Sequence, residues 1–295
     1  MSPTSSHDAH PASQALPPGL TPELMQWIKD QVAAGTPAPA LLHSMRDVGW
    51  SDALARSALE LAGMDVPADL VAPLPAASAL PEPDLENEPC NIDAGDRQVQ
   101  VLMSMERPRI VVFGNLLSGE ECDAIIAAAR PRMARSLTVA TQSGGEEVND
   151  DRTSNGMFFQ RGENDIVHRV EERIARLVNW PMENGEGLQV LHYGPGAEYK
   201  PHHDYFAPNE PGTPTILKRG GQRVGTLVIY LNEPEGGGGT IFPEVQLQVM
   251  PRRGNAVFFS YARPDPSTRT LHGGAPVRSG EKWIATKWLR EREFN

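Results

Sequence analysis

The stretch YGPGAEYKPHHDYF, residues 193–206, decides how the rest of the chain is read. It reads as a strand leaving a Gly/Pro turn, and alternate side chains of a strand share a face. His202 and Asp204 then project to one side and His203 to the other. Far downstream, TLHGGAPV (270–277) offers a further imidazole, His272. Two imidazoles and one carboxylate make the 2-His-1-carboxylate set that fills one face of a non-haem iron and leaves positions open. Each residue alone has a plainer reading as a surface or hydrogen-bonded core group, and the same ligands can hold manganese, cobalt or zinc.

Ten positions beyond His272, GEKWIATKWL (280–289) adds Lys282. On a strand with Lys282 and Thr286 facing inward, an ammonium is buried, which is costly unless an anion pairs with it. A dicarboxylate would supply that anion. As a structural residue, Lys282 would instead run its stem to the surface. Lys287 has the opposite parity and reads as solvated. Tyr193 and Tyr199 are candidate hydrogen-bond donors nearby, or else core tyrosines with satisfied hydroxyls.

Composition bounds the rest. The chain has 295 residues, 39% hydrophobic and 22% charged, with a net charge of −11, which argues against a nucleic-acid partner. No apolar run reaches the roughly 18 residues of a spanning helix, so no membrane association is expected. Residues 1–19 lack the basic start and apolar stretch of a secretory signal. Only Cys90 and Cys122 occur, too few for a disulfide framework, so the expected location is the cytoplasm.

Residues 1–19 read as a disordered tail. Residues 20–65 read as a small helical module: Thr21 caps a first helix opened by Pro22 and closed by Gly35, a second covers 38–48, and a third starts at Ser51. Its role is docking, dimerisation or substrate recruitment. Residues 66–100 read as a linker, with six prolines and seven acidic residues against one base between Val66 and Arg97. From 101 onward PRIVVFG alternates like a strand, and SGEECDAIIAAA reads as a helix capped by Ser118. Another helix is expected over 165–178. Short strands follow in LQVLHY, RVGTLVIYL, GTIFP, GNAVFFSYA and KWIATKWL, so the fold class is mostly β with flanking helices, a barrel or jelly roll. The Gly-containing loops 141–151 and 207–222 read as mobile and able to close over a substrate.

Four blocks in order, YGPGAEYKPHHDYF, RVGTLVIYLNEPEGGGGTIFPEV (223–245), VMPRRGNAVFFS (249–260) and LHGGAPVRSGEKWIATKWLRE (271–291), resemble the prolyl 4-hydroxylase branch of the 2-oxoglutarate/Fe(II) dioxygenases. PRIVVFGNLLSGEECDAII (108–126) resembles the usual opening of that family, so the resemblance spans 101–295. It implies a double-stranded β-helix, with Fe(II) held by His202, Asp204 and His272. It further implies a 2-oxoglutarate cosubstrate whose far carboxylate meets Lys282, with Thr226 near the same carboxylate and Tyr193 lining the pocket. Tyr199 and Arg152 are candidate substrate contacts, Arg152 being alternatively a surface ion-pair residue. Dioxygen is the oxidant, and ascorbate a candidate reductant. Lys282 stands where nucleic-acid demethylases and oxygen-sensing relatives carry arginine, and halogenating relatives lack the carboxylate that Asp204 provides. The implied reaction hydroxylates a prolyl residue of a peptide or protein, releasing succinate and CO2. The same chemistry on a free amino acid or small molecule, and a metal-binding jelly roll without catalysis, stand as alternatives.

Overall fold

A computed structural model describes residues 20–47, 50, 52–66, 80–135, 138–139, 146–147 and 153–295. The chain separates into two compact units, Met1–Ala76 and Ala77–Asn295. The expected tail at 1–19 and the start of the third helix at Ser51 lie outside the described residues.

The first unit has helices Pro22–Ala33, Ala38–Asp47 and Asp52–Leu61. One face of each is apolar, and Ile28, Leu41, Leu42, Met45, Ala58 and Leu59 pack into a small core. Trp27 lies outside that core and is 42% exposed. Gly35 ends the first helical segment at φ +79°, a left-handed conformation that glycine adopts at low cost.

The second unit is built on a nine-stranded sheet. Its order is Asn91–Asp93, Gln98–Met105, Arg109–Gly114, Ala256–Ser260, Arg223–Tyr230, Lys282–Arg290, Leu188–Tyr193, Asn155–Phe159 and Ala134–Arg135. A four-stranded sheet, Leu247–Val249, Thr240–Phe242, His272–Gly274 and Tyr199–His202, completes the double-stranded β-helix. The central strands are buried along their whole length, because both faces are covered. Leu227, Ile229, Phe258, Trp283, Ala285 and Leu289 meet one layer, which includes the helices Gly119–Ala129 and Asp165–Leu177. Val228, Tyr230, Val257, Phe259 and Ile284 form a second cluster with Phe242 and Val249 of the smaller sheet.

This two-sided burial corrects the reading of Lys287. Its parity is indeed opposite to that of Lys282, but the opposite face lies under a helix rather than under water. Lys287 is 1% exposed, and its Nζ donates to Glu171 Oε1 at 2.5 Å and to the Glu186 carbonyl.

The expected linker also needs correction. Residues 67–79 lie outside the described residues, but from Leu80 the chain is part of the second unit. Pro81 and Pro83 are buried, the Glu82 amide donates to the Val178 carbonyl at 2.8 Å, and Asn91–Asp93 pairs with Gln98–Met105. Gly225 leaves the space that Pro81 occupies, since a Cβ there would come within 2.8 Å of the proline ring. Acidic side chains give such a segment a solvated composition while its prolines pack. Of the loop 141–151, Glu146–Glu147 pairs with Thr138–Val139, and the rest is outside the described residues. The loop 207–222 is folded back on itself: Thr213–Ile216 is helical, and the Gln222 amide bonds both backbone groups of Phe206 at 2.8 and 2.9 Å. Among the described residues no helix is long and apolar enough to cross a membrane.

The two sheet-covering helices are tied by Arg173. It is 2% exposed, lies 2.7 Å from Glu121 and 2.6 Å from Asp96, and donates to the Leu116 carbonyl at 2.7 Å. Glu121 also closes the capping box with Ser118. Removing one partner of a buried pair leaves an uncompensated charge, so Arg173→Ala is expected to cost about 3–5 kcal/mol in urea unfolding. A loss below about 1 kcal/mol would class the pair with weak surface bridges.

Candidate functional site

The smaller sheet brings the three candidate ligands together, though only partly by strand alternation. His202 is the last residue of its strand, and His272 stands directly opposite it in the antiparallel register. Gly273 permits that approach: a Cβ there would meet the Tyr199 carbonyl oxygen at 2.8 Å and the Pro201 nitrogen at 3.0 Å. Asp204 lies beyond the strand, in a bend that turns its carboxylate back toward both imidazoles. His203 takes no part and stacks on Tyr205, with ring centroids 4.7 Å apart.

One ligand atom from each of His202, Asp204 and His272 lies within 4.8 Å of the others. His202 Nε2 is 3.5 Å from Asp204 Oδ1, and His272 Nε2 is 3.5 Å from Asp204 Oδ2. These gaps exceed the roughly 3.2 Å of a good N–H···O bond. The other ring nitrogens explain why: His202 Nδ1 is 2.9 Å from the Lys200 carbonyl and His272 Nδ1 is 3.0 Å from that of Thr270. A carbonyl only accepts, so each Nδ1 carries the proton and each Nε2 presents a lone pair. Lone pairs converging on carboxylate oxygens favour a cation among them, and carbonyl-fixed tautomers are a usual support of metal-binding histidines. The residues present therefore fit a divalent metal ion.

The charge states agree. Burial pushes His272 down to about 4, so it is neutral near pH 7. Burial works against the Asp204 carboxylate as well, but the neighbouring His272, His202 and Arg223 together hold its pKa well below the usual carboxylate range.

Asp204 is held by a hydroxyl relay that the sequence reading missed. Thr226 Oγ1 donates to Asp204 Oδ2 at 2.8 Å, and Tyr261 OH, 3.0 Å from Thr226 Oγ1, supplies that oxygen with a proton in turn. Both are buried. Thr226, expected beside the far carboxylate of a cosubstrate near Lys282, thus bonds the candidate carboxylate ligand. Thr226 pairs with Trp288 across the sheet, six residues along the strand from Lys282, a backbone rise of about 20 Å. Arg223 is a second omission: it grips Glu186 in a fork at 2.7 and 3.0 Å and reaches the Asp204 carbonyl at 3.4 Å. Glu186 also accepts from Arg290 at 2.7 Å. No local pattern marks Tyr261 or Glu186; only the pairing of distant strands does.

A cavity opens beside the three ligands, and Tyr193, Tyr199, Thr240, Lys282 and Thr286 are among the residues lining it. Tyr199 stacks on His202 at 3.7 Å. Tyr193 is the cross-strand partner of Lys282, whose Nζ lies 5.4 Å from the tyrosine ring centroid. Lys282 is 2% exposed, and no carboxylate among the described residues pairs with it. Burial lowers its pKa to about 8. Arg152 lies outside the described residues.

Residues 188–290 match the family model of the 2OG-Fe(II) oxygenase superfamily. The chain is 41% identical over 221 residues to Prolyl 4-hydroxylase 5 of Arabidopsis thaliana, covering 68% of this chain and 74% of that protein. It is 43% identical over 202 residues to Prolyl 4-hydroxylase 1 of the same plant, covering 63% and 70%. A crystal structure of viral collagen prolyl hydroxylase from Paramecium Bursaria Chlorella virus-1, in complex with 2OG, aligns with a TM-score of 0.48 and 32% identity, covering 61% of this chain and 95% of that one. The chain belongs to the prolyl 4-hydroxylase-like branch of the 2-oxoglutarate/Fe(II) oxygenases. It is an oxidoreductase that uses Fe(II), 2-oxoglutarate and O2.

The relay on Asp204 can be tested through metal affinity. Thr226→Val keeps the volume and removes the donor, so Fe(II) binding measured anaerobically by calorimetry should weaken about 10–100-fold, with Thr226→Ser restoring it. Unchanged affinity in the valine variant would show that the relay is packing alone.

Proposed function

We propose that the protein hydroxylates a prolyl residue in a peptide or protein, with His202, Asp204 and His272 holding Fe(II) and Lys282 holding the far carboxylate of 2-oxoglutarate. One observation carries the residue assignment: a neutral-tautomer His/Asp/His set and a buried ammonium without an acidic partner line one cavity. The prolyl substrate follows from family membership.

The bound iron, with 2-oxoglutarate and O2, supplies the oxidising chemistry, placing one oxygen atom in a substrate C–H bond and the other in succinate as CO2 leaves. The protein does the rest. The Lys200 and Thr270 carbonyls fix the tautomers of both imidazoles, and Thr226 with Tyr261 orients the Asp204 carboxylate. Lys282 offers a charge-assisted bond to a carboxylate in a cavity whose wall includes the apolar Leu191, Val228 and Ile284. Thr240 lines the same cavity, and its hydroxyl is positioned by a 2.8 Å bond from Tyr230. Tyr199, flat against His202, shields that ligand from one side.

The reading is tested by adding proline-containing peptides, and separately free proline, to the Fe(II)-loaded protein with 2-oxoglutarate. A +16 mass shift matched by succinate is expected with peptides and lost in His202→Ala. Turnover of free proline alone would replace the peptide by a small molecule, and absence of any charge-transfer band with anaerobic Fe(II) and 2-oxoglutarate would remove the assignment of the site.

Lys282 also predicts a pH dependence. Its depressed pKa means the free protein loses the ammonium as pH rises through about 8, and a carboxylate binds the protonated form. Affinity for 2-oxoglutarate should be greatest below pH 8 and fall by up to about tenfold per unit above it. Lys282→Met should weaken binding at every pH and flatten the profile. A flat profile in the unaltered protein would place the cosubstrate elsewhere.

A further inference from the structure

A second cleft, of about 710 Å³, lies beside the metal cavity at the end of the sheet where the loop 207–222 folds back. Four arginines line it, Arg161, Arg219, Arg223 and Arg290, against one glutamate, Glu186. Glu186 is shared by Arg223 and Arg290, so arginines outnumber carboxylates in the cleft lining. Arg161 donates to the carbonyls of Glu183 at 2.9 Å and Phe294 at 2.7 Å, neutral acceptors that leave its charge in place. Arg219 is exposed, reaches the backbone oxygen of Asn295 and lies over the Phe294 ring at 3.9 Å.

This excess stands out because the chain carries −11 overall. An acidic ligand is repelled by most of such a surface and drawn to a positive cleft in it. Side chains of the cleft also touch residues of the metal site. Arg223 reaches the Asp204 carbonyl, and its guanidinium lies 4.0 Å from the ring centroid of Trp288, which lines the metal cavity. Phe158, 44% exposed and 6.4 Å from Trp288, extends the aromatic wall into the cleft. An extended peptide advances about 3.3 Å per residue, so a few residues beside a target proline would reach the arginines.

We infer that this cleft takes acidic residues flanking the target proline, which makes the preferred substrate an acidic, proline-containing peptide. The inference rests on the prolyl reading above. Arg161 and Arg219 supply the accessible charge, while Arg223 and Arg290, buried against Glu186, set the floor.

The test uses the full chain with Fe(II) and 2-oxoglutarate and peptides sharing one proline core, flanked on either side by Glu, Gln or Lys. The Glu peptides should show kcat/KM about tenfold above Gln on at least one side, through KM, with Lys lower still. The gap should shrink between about 50 and 300 mM NaCl, and Arg161→Gln with Arg219→Gln should bring the Glu/Gln ratio near one. Equal kcat/KM for Glu and Gln peptides, or a ratio untouched by the double variant, overturns the inference and leaves prolyl hydroxylation standing. If no peptide is hydroxylated, the prolyl reading falls, and fluorescence anisotropy with the labelled Glu peptide decides the cleft. Saturable, salt-sensitive binding lost in the double variant upholds its acidic specificity; no binding removes it.

Discussion

The register that sets His202 opposite His272 is the constraint on which the catalytic unit depends. It pairs the last residue of one short strand with the first of another, and the strands belong to segments about 70 residues apart in sequence. A one-residue slip would turn one imidazole to the other face. Gly273 holds the register by allowing the two backbones to close, and the carbonyls of Lys200 and Thr270 then meet the two Nδ1 atoms from equivalent positions, each two residues before its histidine. The metal-binding tautomer is thus a product of local backbone geometry.

The strand Lys282–Arg290 shows how one element serves both core and chemistry. Lys282, Ile284, Thr286 and Trp288 line the cavity, while Trp283, Ala285 and Leu289 pack into the helix-backed core. Two lysines are buried on it, and their partners distinguish their roles. Lys287 has Glu171 and a carbonyl, a closed arrangement that holds the helix Asp165–Leu177 to the sheet. Among the described residues Lys282 has only an aromatic face 5.4 Å away, and burial lowers its pKa. A buried cation without a counter-charge is costly in a structural role and suited to binding an anion.

Much of this was legible because the informative features are local. Periodicity located the helices Gly119–Ala129 and Asp165–Leu177, and Gly/Pro turns separated the strands from Leu188 onward. The candidate ligand positions and Lys282 stand out by spacing, and the family by the order of the blocks that carry them. Features created by distant pairing were not legible. Thr226 looked like a cosubstrate contact because its neighbourhood is the right strand, but its partner is set by where Tyr261 and Asp204 converge. Lys287 looked solvated because parity marks two faces without saying what covers the second. The proline-rich segment from Leu80 looked like a spacer because composition does not register a polar chain packed against a sheet.

Arg223 joins these levels. It opens a central strand, yet it is buried, forked onto Glu186, stacked on Trp288 and within reach of the Asp204 carbonyl. Burial lowers its tolerance for charge, but Glu186 and Asp204 more than offset that and keep it ionised. A guanidinium fixed in this way contributes to the low pKa of Asp204 on one side and to the positive cleft on the other. Arg290 shares Glu186, so two arginines face one carboxylate in the lining of the cleft. The group that reaches the backbone of the candidate carboxylate ligand therefore also lines the cleft proposed to read a substrate's charge, so one side chain touches both.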